Sequence, residues 1–216
     1  MRQRFLSLWR ENRAFIIFVL LMLTFRSAVA DWNSVPTGSM KPTILEGDRI
    51  LVNKMAYDLC LPFTRISLLK RADPARGDIV IFDSAIADKR LVKRVVGLPG
   101  DEVVMKENQL WINGERLSYR DVVATHLETD KVENLLGVEH WVRWQGRNHR
   151  LSNFPPVTVP QGHYLVLGDN RDNSADSRVI GFVPREEIVG RSRHVVVSLD
   201  YDNYYLPRKD RFFTAL

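Results

Sequence analysis

Residues 109–117 read QLWINGERL, and this stretch gives the clearest local indication of the fold. Asn113 and Gly114 separate two short runs of strand-forming residues. A two-residue turn of type I′ requires positive φ at both central positions, and asparagine and glycine tolerate that conformation. The stretch therefore predicts a β-hairpin that turns at these two residues.

Short runs typical of β-strands continue on both sides of this hairpin, and no long segment with a 3.6-residue period competes with them. Turn signals at Pro99, Gly100 and Pro184 separate some of the runs. The sequence has no internal repeat or low-complexity tract. These features predict a mainly β, largely antiparallel domain with strands at residues 49–52, 78–82, 91–96, 102–105, 110–112, 163–167 and 189–198.

The composition sets the class of protein. The 216 residues suffice for one medium-sized domain with additional segments. The hydrophobic fraction of 45% and the charged fraction of 26% exclude a disordered, collagen-like or coiled-coil chain. The net charge of +5 would suit nucleic acid or an anionic membrane, but no basic stripe interleaved with aromatic residues indicates a nucleic-acid partner. The single cysteine, Cys60, excludes an internal disulfide and a cysteine-cluster metal site.

An apolar segment near the N-terminus predicts a membrane-spanning helix. Residues 14–25 (AFIIFVLLMLTF) carry no charge, and residues 26–30 extend the segment, giving about 26 Å of helix against a hydrocarbon core of about 30 Å. The long side chain of Arg26 can reach the headgroups, and Trp32 suits the interface. Arginines dominate the residues before the segment, so the N-terminus is expected in the cytoplasm and the rest of the chain outside.

We therefore expect a cytoplasmic segment at residues 1–13, a transmembrane helix at residues 14–31 and an exported domain after it. The same residues also fit a cleavable secretory signal, because residues 28–30 (AVA) precede Asp31 as in a small-residue cleavage site. Both interpretations export the remainder of the chain. Arg26 favours the retained helix, since a charge between the apolar segment and a cleavage site is unusual.

The exported part divides by composition into two regions. Residues 107–158 are more polar than the rest and predict a small insertion subdomain, so that residues 32–106 and 159–216 form one β domain. Residues 59–69 (LCLPFTRISLL) are strongly apolar and contain one charge. They predict either a core segment or a surface that dips into the membrane.

Several common catalytic and binding motifs are absent from the sequence. There is no phosphate-binding G-x-x-x-x-G-K-[ST], no dinucleotide-binding G-x-G-x-x-G, no zinc-binding H-E-x-x-H and no hydrolase G-x-S-x-G. The acidic residues 169–176 lack the glycine and glutamate of a calcium loop, and the 5 histidines show no ligand spacing. The sequence therefore predicts neither a metal nor a cofactor.

Two segments have patterns suited to loops with chemical roles. Residues 35–43 (VPTGSMKPT) have no helix or strand period, and their prolines and glycine suit either an ordinary turn or a loop that holds a hydroxyl at a defined position. Residues 168–178 (GDNRDNSADSR) fit a solvated surface loop. They equally fit a rigid scaffold in which carboxylates and guanidinium groups pair while a serine hydroxyl points inward.

A lysine lies in a third segment, residues 93–101 (KRVVGLPGD), where a strand runs into a turn. Strand alternation places Leu91, Lys93 and Val95 on one face. Such a lysine is commonly an exposed edge residue, but if that face is buried the loss of water lowers the lysine pKa. With a pKa near 10.4 only about one lysine in 2,500 is neutral at pH 7, whereas near 8 about a tenth are, and a neutral amine can take a proton from serine.

Together these segments resemble the type I signal peptidases, the membrane-bound serine proteases that remove signal peptides from exported proteins. The resemblance is carried, in the family's order, by residues 36–43 (PTGSMKPT), 77–82 (GDIVIF), 93–101 and 168–178. It implies an antiparallel β-sheet catalytic domain, formed by the regions that flank the insertion, with one N-terminal transmembrane helix. It also implies a serine–lysine dyad that needs no histidine, metal or cofactor.

The resemblance assigns Ser39 as the nucleophile and Lys93 as the general base. The Ser39 backbone N–H and the Thr37 hydroxyl would stabilise the oxyanion, and Ser174 would orient the lysine amine. Family members often carry serine where this chain has Thr37, but threonine keeps the hydroxyl. Ion pairs among four further residues would brace the site: Arg94, Asp169, Asp176 and Arg178.

The family cuts after small side chains at the first and third positions before the scissile bond, the A-x-A rule. The resemblance implies that Val35, Met40 and Leu91 line the shallow pockets for these side chains. It also implies that an extended substrate pairs with the strand edge at residues 91–93. Because residues 28–30 satisfy the same rule, slow self-cleavage in detergent is expected.

The implied partners are preprotein signal peptides and the lipid bilayer, and the implied oligomeric state is a monomer. The implied location is the bacterial inner membrane, with a single span and the catalytic domain on the periplasmic side. The chain departs from better-known Gram-negative members in its one predicted span, its short insertion and its lack of a cysteine pair in that insertion. These differences concern the topology and the insertion rather than the predicted site.

The sequence leaves two alternatives open. The peptidases that mature conjugative pilins share the fold and the dyad but serve one substrate. An inactive, exported, β-rich binding or assembly factor would keep the same segments for structural reasons. Cleavage of a panel of ordinary preproteins tests the first alternative, and Ser39→Ala and Lys93→Ala variants test the second.

Overall fold

The structure, a computed structural model, describes residues 2–125, 128–145 and 149–216, with side chains from residue 12 onward. His126 lies outside the described residues. The helices are α1 (Arg2–Ala28) and α2 (Ser177–Ile180). The strands, in chain order, are β1 (Ala30–Ser34), β2 (Asp48–Asn53), β3 (Asp58–Cys60), β4 (Ser67–Lys70), β5 (Ile79–Ser84), β6 (Lys89–Gly97), β7 (Glu102–Lys106), β8 (Gln109–Ile112), β9 (Glu115–Arg116), β10 (Ser118–Ala124), β11 (Thr129–Leu135), β12 (Val138–Trp144), β13 (Phe154–Thr158), β14 (His163–Leu167), β15 (Val183–Pro184), β16 (Ile188–Asp200), β17 (Leu206–Pro207) and β18 (Thr214–Ala215).

The largest sheet has the strand order β1-β2-β16-β5-β6-β14-β15, with β17 and β18 also paired to β16. Its strand pairs are antiparallel. Strand β14 pairs with β6 only from Arg94 onward, so residues 89–93 keep one edge free of any described strand. Strand β1 lies at the end of the strand order, so its outer edge is a second edge that pairs with no described strand. The mainly β, antiparallel fold expected from the sequence is confirmed.

The strand runs recognised in the sequence correspond to β2, β5, β6, β7, β8, β14 and β16. The hairpin from β8 to β9 turns at Asn113 and Gly114, whose φ angles are 52° and 80°. Both values are positive, as a type I′ turn requires. The sequence pattern therefore located the ends of these strands to within two residues.

The residues of the predicted insertion belong to two smaller sheets, β10-β11-β12 and β13-β7-β8-β9. Strand β7 precedes the predicted boundary at residue 107 but pairs with β8 and β13 beyond it. Ile112 and Leu135 also share one buried core with Leu165 and Leu167 of the main sheet. The insertion is thus joined to β7 by hydrogen bonds and to the main sheet by a common apolar core.

A second buried core lies under the loop that carries the predicted nucleophile. It contains Val35, Met40 and Ile44 from that loop region, and Ile50 and Val195 from the main sheet. Met40 is 1% exposed and Ile44 is fully buried. Burying these apolar side chains fixes the loop against the sheet, because pulling it away would expose them to water.

Residues 59–69 do not form the core segment that was one of the two expectations. They belong to the β3–β4 hairpin, whose strands pair at residues 58–60 and 67–70. Its large apolar side chains are between 43% and 69% exposed: Leu61, Phe63, Ile66, Leu68 and Leu69. The core interpretation is wrong because the hairpin has no other described element packed over these side chains. The Ser27 hydroxyl accepts a hydrogen bond from the Phe63 amide at 2.7 Å, which ties the hairpin to the end of α1.

Helix α1 ends at Ala28, and β1 begins two residues later in the main sheet. Several apolar side chains of the helix are exposed, among them Phe15 and Leu21. In the part of the chain described here, no helix meets the length and hydropathy needed to span a membrane. The predicted transmembrane helix at residues 14–31 is therefore not confirmed.

Candidate active site

Ser39 lies on a single 3₁₀ turn, Gly38–Met40, between β1 and β2. The amide of Lys41 donates to the Gly38 carbonyl at 3.1 Å, and the amide of Ile44 donates to the Met40 carbonyl at 2.9 Å. A cis peptide bond joins Lys41 and Pro42. With Met40 buried on one side, the turn presents the Ser39 hydroxyl toward β6.

Asn170 holds this turn from the other side. Its backbone amide donates to the Ser39 carbonyl at 3.1 Å, and its side-chain amide donates to the Gly38 carbonyl at 3.0 Å. Asn170 is 1% exposed. The sequence did not indicate this role, because its only signal was that Asn170 belongs to the polar segment 168–178, and 132 positions separate the side-chain donor from its acceptor.

Lys93 reaches the serine from β6, where it pairs with Val80 of β5. Its Nζ lies 2.6 Å from the Ser39 Oγ. The side chain is 2% exposed, and burial lowers the pKa of Lys93 to about 8 against the opposing effect of the Asp176 and Asp169 carboxylates. About a tenth of such amines are neutral at pH 7, and a neutral amine accepts the proton of a serine hydroxyl at this distance.

The carboxylate of Asp169 does not pair with the lysine, because it is already held by Arg94. Its two oxygens accept from the Arg94 Nε at 2.9 Å and Nη2 at 2.7 Å. The hydroxyl of Thr43 also donates to Asp169. Burial alone would raise the pKa of Asp169, but the Arg94 guanidinium outweighs it and the pKa is lowered. Asp169 therefore stays ionised and its charge is directed to Arg94.

Asp176 is held in the same way by Arg178. The Arg178 Nε and Nη2 donate to its two oxygens at 2.8 and 2.7 Å. One of these oxygens also accepts from the Gly168 amide at 2.9 Å, and Arg178 donates to the Leu151 carbonyl at 2.6 Å. The segment 168–178 is thus a hydrogen-bonded scaffold rather than a solvated loop.

Ser174 lies behind the dyad and is 5% exposed. Its hydroxyl has no hydrogen-bond partner among the described residues, so the structure does not bring it into contact with the Lys93 amine. A Cβ atom on Gly168 would lie 2.2 Å from the Ser174 Oγ and 2.5 Å from the Ser39 carbonyl oxygen. Only glycine at residue 168 allows the two serine-bearing segments to approach this closely.

The dyad opens onto a cleft of about 670 Å³. Residues 32–40 form one wall, and residues 89–93 on the free edge of β6 form the other. The predicted pocket residues Val35, Met40 and Leu91 all line this cleft, the first two buried and Leu91 half-buried. The sequence indicated residues 91–93 as an edge for substrate pairing but did not indicate β1, because a short strand directly after an apolar helix has no distinctive pattern.

Thr37 lines the same cleft and is exposed, with an extended backbone at φ −131° and ψ 152°. It is two residues before Ser39, on the side of the cleft formed by β1. The structure therefore brings Thr37, Ser39 and Lys93 together at the cleft. It places Ser174, Arg94, Asp169, Asp176 and Arg178 in the buried layer behind them.

The insertion contacts this buried layer through an ion pair that the sequence analysis missed. Arg171 donates to both oxygens of Glu133, on β11, at 2.7 and 2.6 Å. The two side chains are 1% and 0% exposed. Burial would raise the pKa of Glu133, but Arg171 and His140 together lower it well below its usual range. A charged residue in a strand of mixed pattern is expected at the surface, so no sequence signal indicated this contact.

Other groups of the insertion hold the same segment. The Arg143 amide donates to the Asp169 carbonyl at 2.8 Å, and the Arg171 amide donates to the Arg143 carbonyl at 2.9 Å. The carboxylate of Asp172 accepts from the Asn108 side chain at 2.9 Å and from the Ser152 hydroxyl at 3.0 Å.

Within residues 12–125, 128–145 and 149–216, no group of three or more metal-ligating side chains comes together.

Similar proteins of known family identify the family of this chain. A family model described as signal peptidase, peptidase S26, matches residues 8–197. A signal peptidase I of Pseudomonas aeruginosa is 37% identical over 203 residues, which cover 87% of this chain and 72% of that protein. A signal peptidase I of Rickettsia typhi is 34% identical over 218 residues, which cover 88% and 80%. The crystal structure of a signal peptidase I from Enterococcus faecalis V583 aligns at 32% identity over 56% of this chain and 97% of that chain, with a TM-score of 0.37. The chain therefore belongs to the signal peptidase family S26 and is a serine endopeptidase.

Proposed function

We propose that this chain removes signal peptides from exported preproteins, with Ser39 as the nucleophile and Lys93 as its general base. The observation that carries the proposal is the 2.6 Å contact between the Ser39 Oγ and the Lys93 Nζ. The amine is buried and its pKa is lowered to about 8, so a useful fraction is neutral near pH 7. A histidine is not needed when the amine itself is a base near neutral pH.

In the first step the neutral Lys93 amine takes the Ser39 proton while the Oγ attacks the scissile carbonyl carbon. The negative charge that develops on the carbonyl oxygen would be stabilised by the Ser39 backbone N–H and the Thr37 hydroxyl. The protonated amine then gives its proton to the leaving nitrogen, the peptide bond breaks and an acyl-enzyme remains. A water molecule, deprotonated by Lys93, attacks the ester carbonyl. The bond to the Ser39 Oγ breaks, Lys93 returns the proton to that oxygen, and the signal peptide leaves with a free carboxylate.

We propose that Ser174 and the buried ion pairs serve this chemistry by position. Rotation about χ1 of Ser174 would turn its unpartnered hydroxyl toward the Lys93 amine. A hydrogen bond between them would orient the lone pair of the amine nitrogen. The pairs of Arg94 with Asp169 and of Arg178 with Asp176 keep two carboxylates from binding the amine. A carboxylate bound to Lys93 would stabilise the protonated form and raise its pKa.

The substrate would lie as an extended strand between the free edges of β1 and β6, where backbone hydrogen bonds supply affinity independent of side-chain identity. Val35, Met40 and Leu91 would limit the first and third side chains before the cut to small residues, because they fill the floor and wall of the cleft. This is the structural basis proposed for the A-x-A preference.

We further propose that α1 attaches the enzyme to the bacterial inner membrane, with the N-terminus in the cytoplasm and the catalytic domain, as a monomer, on the periplasmic side. The exposed apolar side chains of the helix support this attachment. The Arg26 guanidinium lies 4.7 Å from the centre of the Trp32 ring. An arginine–tryptophan pair at the end of an apolar helix is typical of a membrane interface.

Cleavage of a defined A-x-A preprotein by purified full-length protein in detergent tests the proposal. Ser39→Ala and Lys93→Ala are each expected to lower kcat/KM by about 10³-fold or more, since each removes one half of the proton-transfer pair. Lys209→Ala, a surface substitution outside the cleft, serves as the control. Unchanged activity in either dyad variant would overturn the assignment.

A panel of unrelated preproteins then distinguishes a general peptidase from one dedicated to a pilin. The absence of cleavage by the wild type would favour an inactive factor.

A further inference from the structure

A second cavity, of about 680 Å³, lies between the end of α1 and the β3–β4 hairpin. Ser27 and Ala28 of the helix line one part of it, and Phe63 and Arg65 of the hairpin line another. Five basic side chains face the cavity against three acidic ones: Lys54, Arg65, Lys70, Arg90 and Arg185 against Asp58, Asp83 and Glu186. None of these side chains takes part in the proposed proton transfers.

Three of the basic groups are already compensated. The Lys54 Nζ donates to the carbonyls of Arg26 and Ser27 at 3.0 and 3.2 Å and lies 3.7 Å from Asp31. Arg185 donates to Asp58 at 2.8 Å. Lys70 pairs with Asp73, just outside the cavity, at 2.8 Å.

The other two share a single carboxylate. The Arg90 Nε and Nη2 donate to Asp83 at 2.7 and 3.0 Å, and Arg65 donates to the same carboxylate. Two guanidinium groups on one carboxylate leave one of them without a carboxylate of its own, since Glu186, the third acidic side chain of the cavity, is exposed and pairs with neither arginine. The Arg65 side chain is 62% exposed, so it can turn to another oxyanion at small cost while Arg90 keeps Asp83 neutralised.

The surroundings identify the kind of oxyanion. The cavity lies at the end of an apolar helix and beside a hairpin whose Phe63, Ile66 and Leu68 are more than 60% exposed. Apolar side chains next to unbalanced arginines match a site where acyl chains meet a phosphate. A free phosphate would use the arginines but would leave the apolar side chains in water.

We propose that this cavity binds the headgroup of an anionic phospholipid, with the phosphate on Arg65 and Arg90 and the acyl chains along the exposed face of the hairpin. The inference rests on the membrane attachment in the proposed function. Arg90 also lines the catalytic cleft, next to the pocket residue Leu91. Occupancy of the cavity would therefore steady the free edge of β6 on which the substrate is proposed to pair.

The test uses the full chain carrying Ser39→Ala, in neutral detergent, so that binding is measured without proteolysis. Dihexanoyl phosphatidylglycerol, kept below its micelle concentration, is the lipid probe, and inorganic phosphate is the second probe. Calorimetric titration is expected to show saturable binding of the lipid, with Arg65→Gln weakening it by about tenfold or more because a charge-assisted contact is lost. Lys209→Gln, which removes an exposed cation elsewhere, should bind as the parent does.

Lipid binding that is equal in Arg65→Gln and the parent, or inorganic phosphate that binds as tightly as the lipid and displaces it fully, would overturn the proposal. Arg65 is largely exposed, so the variant is expected to fold, and its unfolding midpoint checks this. Preprotein cleavage by the chain with Ser39 restored, assayed without phospholipid, reports on the proposed function alone. Failure of the lipid site and failure of the protease assignment are therefore distinguishable.

Discussion

At Lys93 the cost of burying a charged amine increases the fraction of the neutral form, which can accept a proton. The side chain leaves water, gains no ion pair with the neighbouring carboxylates, and its pKa falls to about 8. Two arginines keep the pKa of Lys93 low, because Arg94 and Arg178 hold the carboxylates that would otherwise bind the amine. The proposed reactivity of Ser39 thus depends on ion pairs that lie behind the cleft.

The first prediction concerns pH. Only the neutral form of Lys93 acts as a base, and the pKa near 8 is lowered from 10.5. The value of kcat/KM should therefore rise about tenfold per pH unit below pH 8 and level off above it. Steady-state cleavage of an A-x-A peptide in detergent, from pH 6 to pH 10, measures this profile. A flat profile between pH 6 and pH 8 would contradict the role of the lysine.

The second prediction concerns Gly168. An added Cβ would overlap the Ser39 carbonyl oxygen at 2.5 Å as well as the Ser174 hydroxyl, so Gly168→Ala must push the two segments apart. We expect a loss of about 1–3 kcal/mol in the free energy of unfolding and about a 10²-fold loss in kcat/KM, because the dyad is displaced.

Gly137→Ala is the matched control for this substitution. A Cβ at residue 137 meets no atom within 4 Å, but its φ of +104° adds a backbone cost that Gly168 does not have, so the two variants are compared in activity rather than in stability. Stability is measured by urea unfolding and activity by peptide cleavage. If Gly168→Ala were as active as Gly137→Ala, the tight approach of the serine segments would not matter for catalysis.

At the residue scale, the sequence supported the resemblance that named Ser39, Thr37, Lys93 and Ser174, because these residues lie in short, ordered segments. It did not indicate Asn170 or Glu133. Their partners are 132 and 38 positions away along the chain, and such contacts depend on how strands are brought together rather than on a local pattern.

At the scale of elements, the segment 168–178 is held between the main sheet and the sheet β10-β11-β12. Strand β11 reads TDKVENL, and its Glu133 is fully buried while polar neighbours are partly exposed. Strands are predicted from regular patterns of apolar residues. Such patterns indicated β5, β6 and β16, but none indicated β10, β11 or β12. Composition therefore suggested an insertion at residues 107–158, but it indicated neither that β7 shares a sheet with β8 and β13 nor that the insertion contacts the catalytic segment.

The third prediction tests this contact. Glu133→Gln removes the charge that compensates the buried Arg171, and breaking a buried pair in this way costs about 3–5 kcal/mol. We also expect lower kcat at unchanged KM, because the segment that carries Asp169 and Ser174 loses its rear support. Urea unfolding and steady-state cleavage measure the two effects.

Glu139→Gln is the control for the buried pair. Glu139 lies 3.8 Å from Arg120, and both side chains are more than 60% exposed, so its loss should change stability by less than about 1 kcal/mol. Glu133→Asp, which keeps the charge, should recover part of the activity. Equal effects of Glu133→Gln and Glu139→Gln would mean that the insertion does not support the site.

The fourth prediction concerns β1, which carries the first residues after the A-x-A sequence at residues 28–30. Ala30 to Ser34 pair with β2, and Asp31 accepts from Arg26 at 2.7 Å. The bond after Ala30 is thus held in the sheet and cannot enter the cleft of its own molecule without unpairing β1. Self-cleavage should be slow and should occur between molecules.

Incubation in detergent at several protein concentrations, followed by N-terminal sequencing, tests this expectation. The fraction of chains beginning at Asp31 should grow faster at higher concentration, and Ser39→Ala chains should be cut when mixed with wild type. A rate independent of concentration would contradict the argument, because it would require cleavage within one molecule.

At the scale of the whole molecule, α1 and the β3–β4 hairpin both expose apolar side chains, and the Ser27 to Phe63 hydrogen bond joins the two elements. The composition of residues 14–25 and 59–69 revealed both segments. It did not reveal that they are neighbours, because that follows from the pairing of β1 with β2 and the position of β3 directly after it.

The fifth prediction follows from this arrangement. Phe63→Asp combined with Leu68→Asp replaces two side chains that are 69% and 61% exposed, so the fold should lose little stability. If the hairpin enters the lipid interface, the two charges should lower activity on a preprotein in phosphatidylglycerol-containing vesicles by at least about tenfold, since burying each apolar side chain is worth about 1.5–3 kcal/mol. In detergent, where no bilayer plane orients the enzyme, the double variant should cleave like the wild type. Val122→Asp, a 44% exposed position on β10, is the control for an added surface charge, and a double variant as active as this control in vesicles would place the hairpin away from the membrane.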